Sequence, residues 1–330
     1  MQNNVSISYE SIIELANSFR QSRVFLTAIE LDLFSALDGH LRTSAEVAGS
    51  INTDHRATDR LMNALCALGI LRKTKDKFYN SDEASRYLVK GKPEYAGNLN
   101  HTAHLWKSWN TLTEAVQKGT RVYKRENKKN EDDWRESFIA AMHHRAKKQA
   151  EIVPLMLDLT NVNNMLDVGG GSGVFSMGFI NAKKEIKATI VDLPDVLPIT
   201  EKYVKEAGLE DSIKTIPGDY MSVAFGSGYD LVYLSAVIHI NSHEENESLI
   251  KKCADSLNQN GQVVVQDFIM DEKRINPPYG AIFALNMLVN TERGDTYTGG
   301  EVSEWMKKAG LKSIEKKETG FGTSLVIGYK

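Results

Sequence analysis

Two rhythms of apolar residues divide the chain. Up to about residue 160, apolar positions recur at the three- and four-residue spacing of helices with one buried face. From residue 164 onward, short apolar runs alternate with helical stretches. In the first part, "SRVFLTAIELDLFSAL" (22–37) reads as one helix stopped by Gly39. Thr43, three residues before Glu46, has the spacing of a capping box. The segment 53–71 carries Leu61, Ala64, Leu65 and Leu68 on one helical face. "LRKTKDKFYNSDEA" then reads as two short strands around Lys75 and Asp76, followed by another capped helix. Helices followed by a hairpin are the order of a winged-helix domain, a module for binding DNA or for association. Residues 101–160 read as helical, interrupted at 121–136 by "RVYKRENKKNEDDWRE", a mixed-charge run expected to be a solvated loop or exposed helix start. Trp106 and Trp109 are assigned to helix packing at the domain junction.

Seven segments of the second part read as strands: "NMLDVGG", "KATIVDLP", "SIKTIPGD", "YDLVYLSAVI", "GQVVVQDFIM", "KSIEKKET" and "TSLVIGYK". Helical patterns separate most of them, which predicts an α/β fold with an open, mostly parallel sheet. The expected organisation is a mainly α winged-helix domain over 1–100, a helical connector over 101–160 and the α/β domain over 161–330.

Composition narrows the function classes. The chain has 330 residues, 42% hydrophobic and 25% charged, with a formal net charge of −3, so no overall basic field draws it to nucleic acid or to an anionic membrane. The N-terminal stretch lacks the charged and apolar regions of a signal peptide, and no run approaches a membrane span. A cytoplasmic protein is expected. Cys66 and Cys253 lie in apolar helical contexts and are expected to be buried free thiols. The histidines form no metal-ligand pattern with cysteines or acids, so no metal site is expected.

The densest chemical signal is "MLDVGGGSG" (165–173). A dinucleotide fingerprint requires G-x-G-x-x-G, and the third position falls on Val174 or Ser176 here. The segment fits D-x-G-x-G-x-G instead, with Asp167, Gly169, Gly171 and Gly173. An acid before the loop is a poor neighbour for a pyrophosphate and a good one for a cationic ligand such as S-adenosylmethionine. Asp192, followed by Leu193, ends the second strand, where an acid accepts ribose hydroxyls. Asp219 and Tyr220 follow the third, placed for an adenine amino group and ring face.

"LDVGGGSG", "VDLPDVL", "GDY" and "GLKSIE" resemble signatures of the S-adenosylmethionine-dependent O-methyltransferases of the plant caffeic-acid type and their bacterial natural-product relatives. The resemblance covers nearly the whole chain. It implies a winged-helix dimerisation domain before a class I, Rossmann-like methyltransferase domain with a seven-stranded sheet. It implies S-adenosyl-L-methionine as cofactor, a small aromatic acceptor and a homodimer formed through the N-terminal domain.

By the same resemblance, His239 in "LSAVIHINSHEENESLI" takes the position of the general base, with Asp267 orienting it. A second family acid falls on Thr296, beside Asp295. The aromatic residue that packs on adenine in relatives is Asn241 here, and the acid beside the histidine is Ile240. Ser235 stands at another cofactor position, and His243 reads as a solvent-exposed loop residue. Met142, Asn286, Met287 and Asn290 fall on substrate-pocket positions, with Phe138 and His143 as possible neighbours. The apolar residues Val24, Phe25, Leu26, Ile29, Leu31, Leu33 and Phe34 exceed one core stripe and point to a partner surface. Three alternatives stand beside O-methyl transfer: a relative acting on N or C or catalysing hydroxylation or decarboxylation; a DNA-binding regulator; and an NAD-dependent oxidoreductase.

Overall fold

The computed structural model describes residues 7–124 and 128–330, which divide into two compact units, Met1–Leu105 and Trp106–Lys330. In the first unit α1 (Tyr9–Asn17), α2 (Phe19–Glu30) and α3 (Leu33–Ala36) lead to the short β1 (Arg42–Thr43). Next come α4 (Ser44–Ser50), α5 (His55–Ala67), the hairpin β2 (Leu71–Thr74) and β3 (Lys77–Asn80), and α6 (Asp82–Tyr87). The three strands form one antiparallel sheet in the order β1-β3-β2, a helix-plus-wing arrangement. Thr43 and Glu46 make the reciprocal capping box expected of their spacing, and Ser81 caps α6.

Four details differ from the sequence reading. Segment 22–37 is not one helix: the backbone turns left-handed at Asp32 (φ 54°). That break brings Leu33, Phe34 and Leu37 beside Ala28 and Ile29 in one cluster, with Val24 and Phe25 packed against it. Those residues therefore serve the unit's own core. The apolar excess lies instead on α1, where no residue is buried and Tyr9, Ile12, Ile13 and Leu15 are exposed. The buried stripe of α5 is Thr58, Met62 and Leu65, and Leu68, past the helix end, is exposed. Cys66 is half-buried while Cys253 is buried, and both are free thiols.

The second unit takes in the C-terminal end of α7 (Asn98–Trp109), then α8 (Leu112–Lys118) and α9 (Lys128–Ile152). Residues 125–127 of the mixed-charge run lie outside the described residues, and α9 begins within that run. Alternation follows: β4 (Asn164–Val168), α10 (Val174–Ala182), β5 (Lys187–Asp192), α11 (Leu197–Glu206), β6 (Ile213–Pro217), β7 (Tyr229–Ser235) and α12 (His243–Ser256). The chain ends with β8 (Leu257–Asp267), α13 (Pro278–Asn290), α14 (Gly299–Lys308), β9 (Lys312–Glu318) and β10 (Ser324–Tyr329). All seven segments read as strands are strands of one sheet, ordered β6-β5-β4-β7-β8-β10-β9. β10 runs antiparallel to both of its neighbours, β8 and β9, and every other pair in the sheet is parallel.

Both faces of this sheet are buried, as in a parallel sheet covered by helices. Leu166, Val168, Val232, Leu234, Val263 and Val265 enter one core; Met165, Leu231, Tyr233 and Val264, from the same strands, enter the other. Gly178 lets α10 press against α9, since a Cβ there would lie 2.1 Å from the Ala150 carbonyl oxygen. The chain starts the sheet at β4, builds outward to β6, then crosses back to β7 on the other side of β4. The carboxyl ends of β4 and β7 thus flank the switch point where open α/β sheets bind ligands.

Candidate active site

The loop after β4 is built for glycine. Gly169, Gly171 and Gly173 take φ of +67°, +56° and +74°, a region that costs other residues about 1–2 kcal/mol. At Gly170 the constraint is space: a Cβ would meet the Asp167 carboxyl carbon at 2.9 Å. Asp167 lies beneath the loop, fully buried, and one of its oxygens accepts from Ser176 Oγ at 2.7 Å. Burial pushes its pKa up to about 6. Asp192 steadies the loop from β5, accepting from the Gly171 amide and its own neighbour Leu193, each at 2.8 Å. Burial raises the Asp192 pKa against those two hydrogen bonds. Thr200 Oγ1 donates to the Gly171 carbonyl at 2.5 Å.

Helix α9 lies against the same loop. Ile139 Cδ1 is 3.7 Å from where a Gly171 Cβ would sit, and His143 Nδ1 is 2.9 Å from Ser172 Oγ. The His143 ring stacks on Tyr203 at 4.1 Å, and its burial lowers its pKa. Phe138 stacks instead on Trp134, one helical turn away. From the far side of the loop, Tyr220 brings its ring edge within 3.9 Å of a Gly169 Cβ. Leu193 is half-exposed, Asp219 turns back on its own chain to accept from the Met221 amide at 2.8 Å, and Ser235 closes β7 on the same strand face as Tyr233.

His239 sits in a short 3-10 turn after β7 and is 8% exposed. Because β7 and β8 are parallel neighbours, their carboxyl ends bring His239 beside Asp267. Nδ1 lies 2.9 Å from each Asp267 oxygen, and one of those oxygens also accepts from the Phe268 amide. Phe283 of α13 meets the imidazole edge-on at 4.9 Å. Nε2 makes no hydrogen bond to any described residue. Asp295 does not take the place of the acid absent at Thr296: it is half-exposed and pairs with Arg274, while Thr296 is buried. His243 is not a free loop residue either; it opens α12 and accepts from Trp305 Nε1 at 3.0 Å.

On α13, Asn286 Oδ1 accepts from Trp109 Nε1 at 2.9 Å and from Asn290 Nδ2 at 3.1 Å. The pair keeps Asn286 Nδ2 as an unengaged donor and Asn290 Oδ1 as an unengaged acceptor among the described residues. Trp109 is therefore more than a packing residue. Met287 is buried on the same helix, and Met142 is half-buried on α9 with no polar contact to the others. Thr200, Phe283 and Asn246 carry no signal in the sequence taken singly: Thr200 and Phe283 become visible only when the fold brings Gly171 and His239 beside them, and Asn246 only when the turn after β7 folds back on α12.

A glycine cradle after the first strand of the sheet, acids at the next two strand ends and no third dinucleotide glycine define a class I S-adenosylmethionine-dependent methyltransferase. The O-methyltransferase domain model matches residues 109–312, and the O-methyltransferase dimerisation domain matches residues 13–91. The chain belongs to this O-methyltransferase family and is an S-adenosylmethionine-dependent O-methyltransferase. It is 28% identical to 3-hydroxy-5-methyl-1-naphthoate 3-O-methyltransferase of Streptomyces sahachiroi, over 92% of this chain and 89% of that one. It is 27% identical to the tetracenomycin polyketide synthesis 8-O-methyl transferase of Streptomyces glaucescens, over 97% and 96%. Its fold matches human N-acetylserotonin methyltransferase in complex with S-adenosylmethionine at a TM-score of 0.84, with 22% identity, covering 100% of this chain and 99% of that one. Among the described residues no helix is long and apolar enough to cross a membrane.

Proposed function

We propose that this enzyme methylates a hydroxyl of a small aromatic acceptor, with His239 as the general base. The observation that carries the reading is the pair of 2.9 Å contacts from His239 Nδ1 to Asp267. A carboxylate accepts only, so the imidazole proton resides on Nδ1 and the lone pair on Nε2. Nε2, clear of partners among the described residues, takes the acceptor's hydroxyl proton as its oxygen forms the new bond to carbon. Asp267, anchored by the Phe268 amide, holds the tautomer and steadies the imidazolium that results. Bound S-adenosylmethionine supplies the methyl group and its own leaving group. Gly169, Gly171 and Gly173 would let the backbone pass under that ligand, Asp192 would receive the ribose hydroxyls, Leu193, Asp219, Tyr220 and Ser235 would complete its surroundings, and Asp167 would act from beneath the loop.

Met142, Met287 and the Asn286–Asn290 pair form the acceptor side, where the methionines suit a flat ring. Of the two Streptomyces relatives, one is named for a hydroxynaphthoate and the other for tetracenomycin polyketide synthesis, which supports a fused phenolic ring as acceptor class. A homodimer through the first unit completes the reading, supported by its dimerisation-domain match and the bare apolar face of α1. The test combines calorimetric titration with S-adenosylhomocysteine, NAD as control, and a labelled-methyl assay on hydroxynaphthoates with product masses. An O-methylated product that His239→Ala fails to form supports the proposal. N- or C-methylated product, or full turnover by His239→Ala, overturns it.

A further inference from the structure

Three amide and hydroxyl side chains run in single file from the His239 turn to the glycine loop. Asn246, fully buried on α12, donates Nδ2 to the Ile238 carbonyl at 2.8 Å. Its Oδ1 accepts from Asn241 Nδ2 at 3.1 Å. Asn241 Oδ1 in turn accepts from the Tyr220 hydroxyl at 2.9 Å. The direction of this chain is fixed at its anchor, because a backbone carbonyl has nothing to donate. Asn246 therefore presents its amine to Ile238 and its oxygen to Asn241; Asn241 repeats that orientation; Tyr220 spends its only proton on Asn241. Tyr297 Oη holds the Asn241 carbonyl at 2.6 Å, so the middle link is pinned from behind.

The consequence falls on the ligand side. The Tyr220 ring lies against Gly169 of the cofactor loop, just beyond the end of β6. Its oxygen retains lone pairs and has no hydrogen left to offer. We propose that Tyr220 is a specificity-determining residue for the nucleobase: held as an obligate acceptor by Asn241 and Asn246, it takes a hydrogen bond from a donor on the base. The ligand class it selects is an aminopurine over an oxopurine. Asn241, where relatives carry an aromatic wall, is then the positioning residue that sets this polarity. Burial pushes the Tyr220 pKa up to about 12, so the hydroxyl keeps its proton across the working range. The inference rests on the S-adenosylmethionine reading of the glycine loop and adds a base contact to it.

The experiment is calorimetric titration of the full chain with S-adenosylhomocysteine and with its 6-oxo analogue, S-inosylhomocysteine. Wild type is expected to prefer the amino compound by about tenfold or more, the scale of one hydrogen bond made or left unmet. Tyr220→Phe, which keeps the ring, is expected to erase that preference. Asn241→Leu frees the tyrosine proton, so its affinity for the oxo analogue is expected to rise relative to wild type. Melting curves of both variants verify that they fold. Tyr220→Phe binding S-adenosylhomocysteine with the wild-type preference intact overturns this proposal alone. Wild type binding neither compound overturns the cofactor reading and this proposal with it.

Discussion

Asp267 holds His239 through a single ring nitrogen: both carboxylate oxygens lie 2.9 Å from Nδ1, leaving Nε2 facing away from the acid. The pair differs from a surface ion pair because both side chains are buried, so the orientation it imposes is not diluted by water. Asp267→Asn turns a pure acceptor into a group that can donate to Nδ1 and drive the proton to Nε2. Turnover on a hydroxynaphthoate is expected to fall about 100-fold or more in Asp267→Asn and in His239→Ala. Binding of S-adenosylhomocysteine is expected to stay near wild type in both. A turnover loss matched by an equal loss of cofactor affinity would place the defect in binding instead.

Trp109 and Asn286 meet across 177 residues of sequence, 2.9 Å apart. Trp109→Phe removes the donor while keeping an aromatic ring, so Asn286 can rotate out of register with Asn290. The acceptor KM is expected to rise several-fold while kcat changes little, the pattern of lost uniform binding. A fall in kcat at constant KM would move Trp109 to the chemical step.

Two glycines of the cofactor loop predict different costs. Gly171→Ala meets only backbone strain, because the nearest atom to its Cβ is Ile139 Cδ1 at 3.7 Å. Gly173→Ala adds a 2.9 Å approach to Ile190 Cδ1 on top of the same strain. Both are expected to destabilise by about 1–2 kcal/mol, with Gly173→Ala the worse. Thermal melts of the two variants side by side give the order, and equal melting temperatures would refute it.

Helix α1 gives the oligomer prediction. Ile12 and Leu15 are exposed on this helix, so charging them costs the monomer little and an apolar interface much. Ile12→Asp with Leu15→Asp is expected to convert a dimer to a monomer in light scattering without lowering the melting point of the separated chains. A wild-type monomer at micromolar concentration would end the argument.

How much of this was legible in the sequence depends on range. Most of the seven strands were readable because an apolar run is bounded by glycines or polar turns, whereas β9, "KSIEKKE", is largely charged and was placed by its position between helix and last strand; "MLDVGGGSG" declared its loop by glycine alone. His239 and Asp267 were placed by the resemblance, and the fold supplied the reason they meet, adjacent parallel strand ends. The break at Asp32 was invisible because the apolar spacing continues straight through it; only the need to turn Leu33 and Phe34 into the core imposes the kink. His243 read as solvent-exposed because Trp305, its partner, lies 62 residues away. The Tyr220–Asn241–Asn246 chain was equally hidden: Asn241 stood out only as a missing aromatic, its bond to Asn246 is local, and its bond to Tyr220 waits for the fold to bring the ends of β6 and β7 together.

Asp167 and Ser176 yield a prediction in pH. The carboxyl is fully buried, and burial carries its pKa from 3.8 to about 6, outweighing the Ser176 hydrogen bond that lowers it. The native state therefore holds this proton across a window where the unfolded chain has released it. Stability contributed by the protonated form is complete below about pH 4 and is lost as pH rises through about 6, a change on the order of 3 kcal/mol. Asp167→Asn keeps the shape and an acceptor for Ser176 but has no proton to lose. Its stability relative to wild type is thus expected to rise between pH 4 and pH 7, by up to about 3 kcal/mol, in urea melts without ligand. Parallel pH profiles for the two proteins would mean that Asp167 stays ionised beneath the loop, with a positive group or water beside it offsetting its burial.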